Sequence, residues 1–273
     1  MKEIARTVAK NRAALAVVML YIVLLVWWTI LHATRASSDA LLLWGSVYQV
    51  VCWFGAVAGL VVSKRWGGMR SLVGRAAMAF SIGLLCQAFG QTAYALYVFY
   101  FHIEIPYPSI GDVGYFGSIP FYMYGAWALA RVSGARVSLR AYHNQAIALF
   151  LPLILLLVSY LIFLNGYEFD WTQPLKVFLD FGYPLGQAVY VSIAILAFIL
   201  SRKVLGGIMR PAMLFFIVAL VAQYLCDFTF LYQAKIGTFY AGGPNDLMYA
   251  TSYLFMSIAL LYIGSMFEKI KNS

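Results

Sequence analysis

Charge is scarce in this chain. Lys, Arg, Asp and Glu together make up 11% of its 273 residues, and only 10 of them are acidic. A soluble domain carries about 25% charged residues, so an ordinary water-facing fold is excluded. Cysteine is nearly absent. Cys52, Cys86 and Cys226 each fall inside an apolar run, with no neighbour at metal-binding or redox spacing. They read as small core residues. The three histidines, His32, His102 and His143, are too scattered to make a haem or metal site. There is no HExxH, no glycine-rich phosphate loop and no Ser–His–Asp set at a shared depth. No catalytic constellation is found, so the chain is not expected to be an enzyme, and no cofactor or metal is assigned. A lipid enzyme embedded in the membrane would have only Asp227 and Asp112 as its acids.

What the chain has is apolar length. It is 63% hydrophobic, with a mean hydropathy of +0.82. A helix crosses hydrocarbon in about 20 apolar residues. Such runs occur near 13–33, 41–63, 76–101, 112–132, 145–165, 176–200, 211–233 and 246–267. The expected fold is all-α: a polytopic bundle of eight transmembrane helices, with little chain left for a soluble domain. Aromatic residues reach 17%, and many sit at run ends, as interfacial belts do. The first run, Ala13 to Ala33, exceeds a signal-peptide core and reads as a retained helix.

The basic residues set the expected orientation. Lys2, Arg6, Lys10 and Arg12 precede the first run. Lys64, Arg65, Arg70, Arg75, Arg131, Arg136, Arg140, Arg202, Lys203, Arg210, Lys269 and Lys271 then fall on the same side. The opposite side holds only Arg35, Lys176 and Lys235. The positive-inside rule makes the first side cytoplasmic, with both termini facing in. The expected location is the cell inner membrane, multi-pass. The net charge of +9 follows from these loops, so a nucleic-acid partner is not expected and anionic membrane lipids are.

The chain also reads as two copies, 13–132 and 145–267. Ser63-Lys64-Arg65, Gly67-Gly68 and Arg70 are matched by Ser201-Arg202-Lys203, Gly206-Gly207 and Arg210. Gln87, Gln91, Pro108-Ser109-Ile110-Gly111-Asp112 and Tyr115 are matched by Gln223, Asp227, Gly243-Pro244-Asn245-Asp246 and Tyr249. The offset stays at roughly 134 to 140 residues. Gln49 and Gln187 relate runs 41–63 and 176–200, while runs 13–33 and 145–165 match poorly and read as peripheral. Four helices per copy make the repeats parallel, and a polar site is expected where they meet.

Polar side chains at membrane depth gather towards the outer half. Asp227, Asp180, Gln91 and Tyr94 fall there, and Asp112 and Asp246 begin runs on that side. An acid in hydrocarbon costs about 2.5–3.5 kcal/mol, so Asp227 and Asp180 should face the interior and have partners. Gln87 with Gln91, and Gln223 with Asp227, are four residues apart and share a helix face. These two stripes, with Gln187, could line one cavity walled by Tyr183, Tyr190, Tyr224 and Trp53. The blander alternative stays open: Gln49, Gln87, Gln187 and Gln223 hydrogen-bonding neighbouring helices, Asp227 as a structural anchor, and Asp180 snorkelling near Lys176. Ser109 to Asp112 matches a capping box, and Gly243, Pro244 and Asp246 suit a second helix start. The same residues could form a rim over the cavity.

The stretch Pro106-Tyr107-Pro108-Ser109-Ile110-Gly111-Asp112-Val113-Gly114-Tyr115 resembles the Pro-Ser-x-x-Asp-x-x-Tyr segment of multi-helix membrane sensor regions in bacteria. Those regions precede diguanylate cyclase or histidine kinase modules. Gln91, Tyr94, Asp227, Gly242-Gly243 and Asp246 fit the same pattern. The resemblance implies a module that senses something at or in the membrane and passes a helix movement to a cytoplasmic partner. The sequence ends at Lys269-Ile270-Lys271-Asn272-Ser273 without an output domain, so a stand-alone relative with a separate signalling partner, or an excised sensor, is expected. The functional expectation is a sensor or ligand-binding module for a small or lipidic ligand, with a transporter or channel as the alternative. A transporter would need a polar path through the inner half, where little is offered.

Overall fold

The computed structural model describes residues 11–103, 105–132, 142–164, 166–201 and 210–271. It is all-helical, with no strand among the described residues. The helices are α1 (Arg12–Ala33), α2 (Ser38–Val47), α3 (Val50–Arg65), α4 (Leu72–Phe99), α5 (Ile110–Val132), α6 (Tyr142–Ser159), α7 (Pro174–Ser201), α8 (Arg210–Lys235) and α9 (Pro244–Lys271). A π-helical turn, Tyr160–Leu164, extends α6. Lys2, Arg6, Lys10, Arg136, Arg140, Arg202, Lys203, Gly206 and Gly207, all used in the sequence reading, lie outside the described residues.

Seven stretches are long and apolar enough to cross a membrane, with α2 and α3 counted together as Ser38–Arg65. The expected run 112–132 does form a helix, α5, but it is not among the seven. Its 23 residues include Asp112, Pro120, three tyrosines and four glycines, which dilute its apolar content. The expected run 41–63 is not one continuous helix. Gln49 donates its side-chain amide to the Ser46 carbonyl (2.8 Å), the acceptor that an unbroken helix would offer to Val50. The chain turns at Tyr48-Gln49 and restarts.

The helix pairings can be read from their contacts. The α3 and α4 helices run antiparallel, joined by Ser63 Oγ to the Gly74 carbonyl (2.7 Å) and Cys52 Sγ to the Leu84 carbonyl (3.0 Å). The α4 and α5 helices are also antiparallel and unusually close. A Cβ on Gly114 would lie 2.4 Å from the Cys86 carbonyl oxygen, and one on Gly90 would lie 2.6 Å from the Tyr115 ring. Small residues let helices approach this way when lipid offers no hydrophobic drive. The α8 and α9 helices are antiparallel, with Ser252 Oγ of α9 3.2 Å from the Ala219 carbonyl oxygen of α8.

Two parallel pairs bring the halves together. The α9 helix runs alongside α3, with Ser257 against Gly55 and Trp66 Nε1 donating to the Ile263 carbonyl (3.0 Å). The α5 helix runs alongside α7, with Tyr122 edge-on to Tyr190 and Phe116 edge-on to Tyr183. Phe80 of α4 stacks on Phe216 of α8 at 4.2 Å, where the halves touch. Of the seven apolar stretches, α9 is the most buried and α6 the least. The α1 helix clings to α9 through a Tyr21–Thr251 hydrogen bond (2.7 Å) and through Trp28 Nε1 to the Gly242 carbonyl (2.9 Å).

Candidate functional site

Asp227 lies on α8, one helical turn beyond Gln223, and both side chains turn towards α7 and α9. Gln187 of α7 donates to Asp227 Oδ2 at 2.6 Å, and Gln223 donates to the same oxygen at 3.1 Å. Tyr249 of α9 donates to Oδ1 at 2.5 Å. Ser252 of α9 donates to Gln223 Oε1 at 3.0 Å, orienting that amide so that its NH2 faces the acid. Three helices thus supply neutral donors to one carboxylate. The residue keeps part of its surface accessible.

The corresponding stripe on α4 behaves differently. Gln87 donates to Ser118 Oγ of α5 (2.8 Å) and accepts from Tyr253 of α9 (3.1 Å). Gln91 donates to the Tyr48 hydroxyl. Gln49 accepts from Thr92 at 2.7 Å. The two stripes therefore feed separate hydrogen-bond networks, joined through the neighbouring Tyr249 and Tyr253 rings of α9 (6.3 Å). Their Gln–Ser pairs correspond, Gln87 with Ser118 and Gln223 with Ser252.

Asp112, at the start of α5, accepts from the Ser109 backbone N–H (2.7 Å) and Ser109 Oγ (3.1 Å) through one oxygen, and from Tyr183 of α7 (2.7 Å) through the other. Ser109 Oγ accepts in turn from the Gly111 N–H at 3.1 Å. The acid thus caps its helix and also joins α5 to α7. Asp246, at the start of α9, accepts from the Gly242 N–H at 2.7 Å. Gly242 has φ +72°, and a Cβ there would lie 2.3 Å from the Leu41 carbonyl oxygen, so only glycine fits this turn. Tyr94 of α4 is half-buried.

Asp180, on the first turns of α7, accepts from Tyr107 through one oxygen and from Tyr167 through the other, each at 2.7 Å. Lys176 does not pair with it. Burial, then the bond to Asp180, pushes the Tyr167 phenol up to about 12, and the same causes raise Tyr107. Nearby, Phe169 stacks between Trp171 and Phe181.

Asp180, Tyr183, Gln187 and Tyr190 follow one another at three- or four-residue steps and form one stripe on α7. The Tyr190 hydroxyl is buried and has no hydrogen-bond partner among the described residues, and neither atom of the Asn245 side-chain amide has one. Tyr224 is occupied by a hydrogen bond with Ser159 (2.8 Å). Trp53 does not wall the site. It is exposed on the outside of α3, because a helix bordered by α4 and α9 has one face left over.

Sequence reasoning did not assign Tyr48, Tyr107, Ser118, Tyr167, Tyr249 or Ser252 to the site. Tyr249, Ser118 and Ser252 carried a usable signal, since they recur at matched places in the two halves. Tyr48, Tyr107 and Tyr167 carried none, because a tyrosine inside an apolar run looks like packing and one in a loop between runs looks like any interfacial aromatic. No metal-binding group of three or more His, Cys, Asp or Glu occurs among the described residues. Comparison with protein-family models, with curated proteins and with solved structures gives no match for this chain.

Proposed function

We propose that this chain is a membrane-embedded ligand-binding module of the sensor type. In this reading eight helices cross the inner membrane as two parallel four-helix repeats, 13–132 and 145–267, with both termini cytoplasmic. The pocket opens to the outer side and lies where α5, α7, α8 and α9 meet. Basic loops on the opposite side and the matched Gln87–Ser118 and Gln223–Ser252 pairs support this arrangement. So does the Phe80–Phe216 stack, a contact between residues at equivalent positions of the two halves, as expected at a pseudo-two-fold axis.

The observation that carries the function is the Asp227 carboxylate. It is half-buried at membrane depth and held by donors from three helices, with no lysine or arginine among its partners in the described residues. A structural anchor could be an amide at far lower desolvation cost, so an acid kept there points to binding. Transmission would run along α9. That helix carries Tyr249 at the pocket and Glu268, paired with Arg65 at 3.2 Å, near its far end. A cytoplasmic signalling protein would read that end.

Single cysteines placed at Tyr183, Gln223 and Asp227 in a background lacking Cys52, Cys86 and Cys226 test the pocket. Labelling by a membrane-impermeant maleimide from the outer side only is the expected result. Labelling from both sides would replace the sensor with a transporter, and no labelling would remove the pocket.

A further inference from the structure

The charge balance of the site points to the chemistry of its ligand. Asp112 and Asp227 bond to adjacent turns of α7, through Tyr183 (2.7 Å) and Gln187 (2.6 Å), and Asp246 lies one turn before the Tyr249 that donates to Asp227. Each acid is satisfied by neutral donors: amides, hydroxyls or backbone N–H groups. Hydrogen bonds of that kind supply no countercharge. No lysine or arginine pairs with any of the three among the described residues. Asp112 and Asp246 also face the positive ends of their own helices, but Asp227 sits mid-helix and has no such compensation.

A second observation comes from a different group. Tyr190 is 1% exposed, lies one turn along α7 from Gln187 on the same face, and packs edge-on against Tyr122. Its hydroxyl has no partner. A buried hydroxyl with nothing to bond costs about 1–3 kcal/mol, so it marks a place where another polar group belongs.

We infer that this site takes an organic monocation, an ammonium head on a small apolar body, held beside Asp227 and Asp112 against tyrosine rings. An anion would meet carboxyl oxygens with no lysine or arginine paired to them among the described residues. A divalent metal needs several direct ligands, and no group of three or more His, Cys, Asp or Glu that could hold one occurs among the described residues. An ammonium head is attracted by an acid without a cationic partner and by neighbouring aromatic side chains, here Tyr183, Tyr190 and Tyr249. The Tyr190 hydroxyl would accept from an N–H of the ligand or hold a water beside it.

The inference rests on the outward-opening pocket proposed above, and the two can fail separately. The full chain, purified in detergent, is titrated with choline, tetramethylammonium and butylammonium at constant ionic strength while thermal unfolding is followed. The uncharged carbon isostere of choline serves as the control. Saturable stabilisation by at least one cation, absent with the isostere, is expected. Asp227→Asn should weaken binding of that cation about tenfold or more, as expected for loss of a buried charge partner. Should Asp227→Asn fail to fold, Tyr183→Phe decides, with a few-fold weakening expected. The inference is overturned if no cation stabilises the protein, if the isostere does so equally, or if stability responds to pH alone. With Tyr183→Cys labelled from the outer side, any of these results sinks the cation assignment and leaves the pocket. Without that labelling, the pocket itself is lost.

Discussion

Asp227 joins three helices through the donors Gln187, Gln223 and Tyr249. Removing the acceptor strands the Gln187 amide and the Tyr249 hydroxyl inside the bundle, and a stranded buried donor costs about 1–3 kcal/mol. Asp227→Leu should therefore destabilise the chain by about 2 kcal/mol or more, while Asp227→Asn, which keeps one acceptor oxygen, should cost less. Thermal unfolding in detergent distinguishes them, and equal midpoints would mean the three bonds do not form. In the connection before α7, Asp170 accepts from the Thr172 hydroxyl (2.5 Å) and the Thr172 N–H (3.0 Å). These bonds, the hydroxyl foremost, hold its pKa below the usual carboxylate range. A depressed folded pKa means the turn is stabilised above the ordinary carboxylate value and loses that support as pH falls through the lowered one. In Thr172→Val the Asp170 midpoint should move back up, read by carboxyl NMR titration. At this scale the sequence was partly legible. Spacing alone placed Gln223 and Asp227 on one face and Asp112 at a cap. Which donors reached the acids was not legible, since Gln187 and Tyr249 come from helices 40 and 22 residues away.

The helices followed the apolar runs closely, because a backbone in hydrocarbon must satisfy its own hydrogen bonds. The departures have local causes. Gln49 occupies the Ser46 carbonyl and divides α2 from α3. The α5 helix gives up apolar residues for glycines and tyrosines that fit it against α4. Gly114→Leu would drive a side chain into the Cys86 carbonyl, which is backbone and cannot move aside. Overpacking of this kind costs about 3 kcal/mol. Gly117→Leu serves as the control, since a Cβ there meets nothing nearer than Cys86 Sγ at 4.0 Å. A lower unfolding temperature is expected for the first variant alone.

For the whole molecule, the proposed topology predicts that reporters fused at either terminus report the cytoplasm, whereas one inserted at 236–239 reports the outside. Opposite compartments for the two termini would mean an odd number of crossings, with α5 failing to span. Composition by itself determined that this chain is helical and built for a membrane, because so little charge and so much apolar length allow nothing else. Recurring short motifs pointed to polar residues that the structure finds bonded between helices, Gln87, Gln223 and Asp227 among them. The tertiary structure alone decided how helices from the two halves of the chain meet. The α5–α7 and α3–α9 pairings run parallel between helices distant in sequence, and it is these pairings that set Tyr183 on Asp112 and divide the Gln87 and Asp227 stripes between two networks. Periodicity shows which face of a helix is polar; it cannot show which other helix that face will meet.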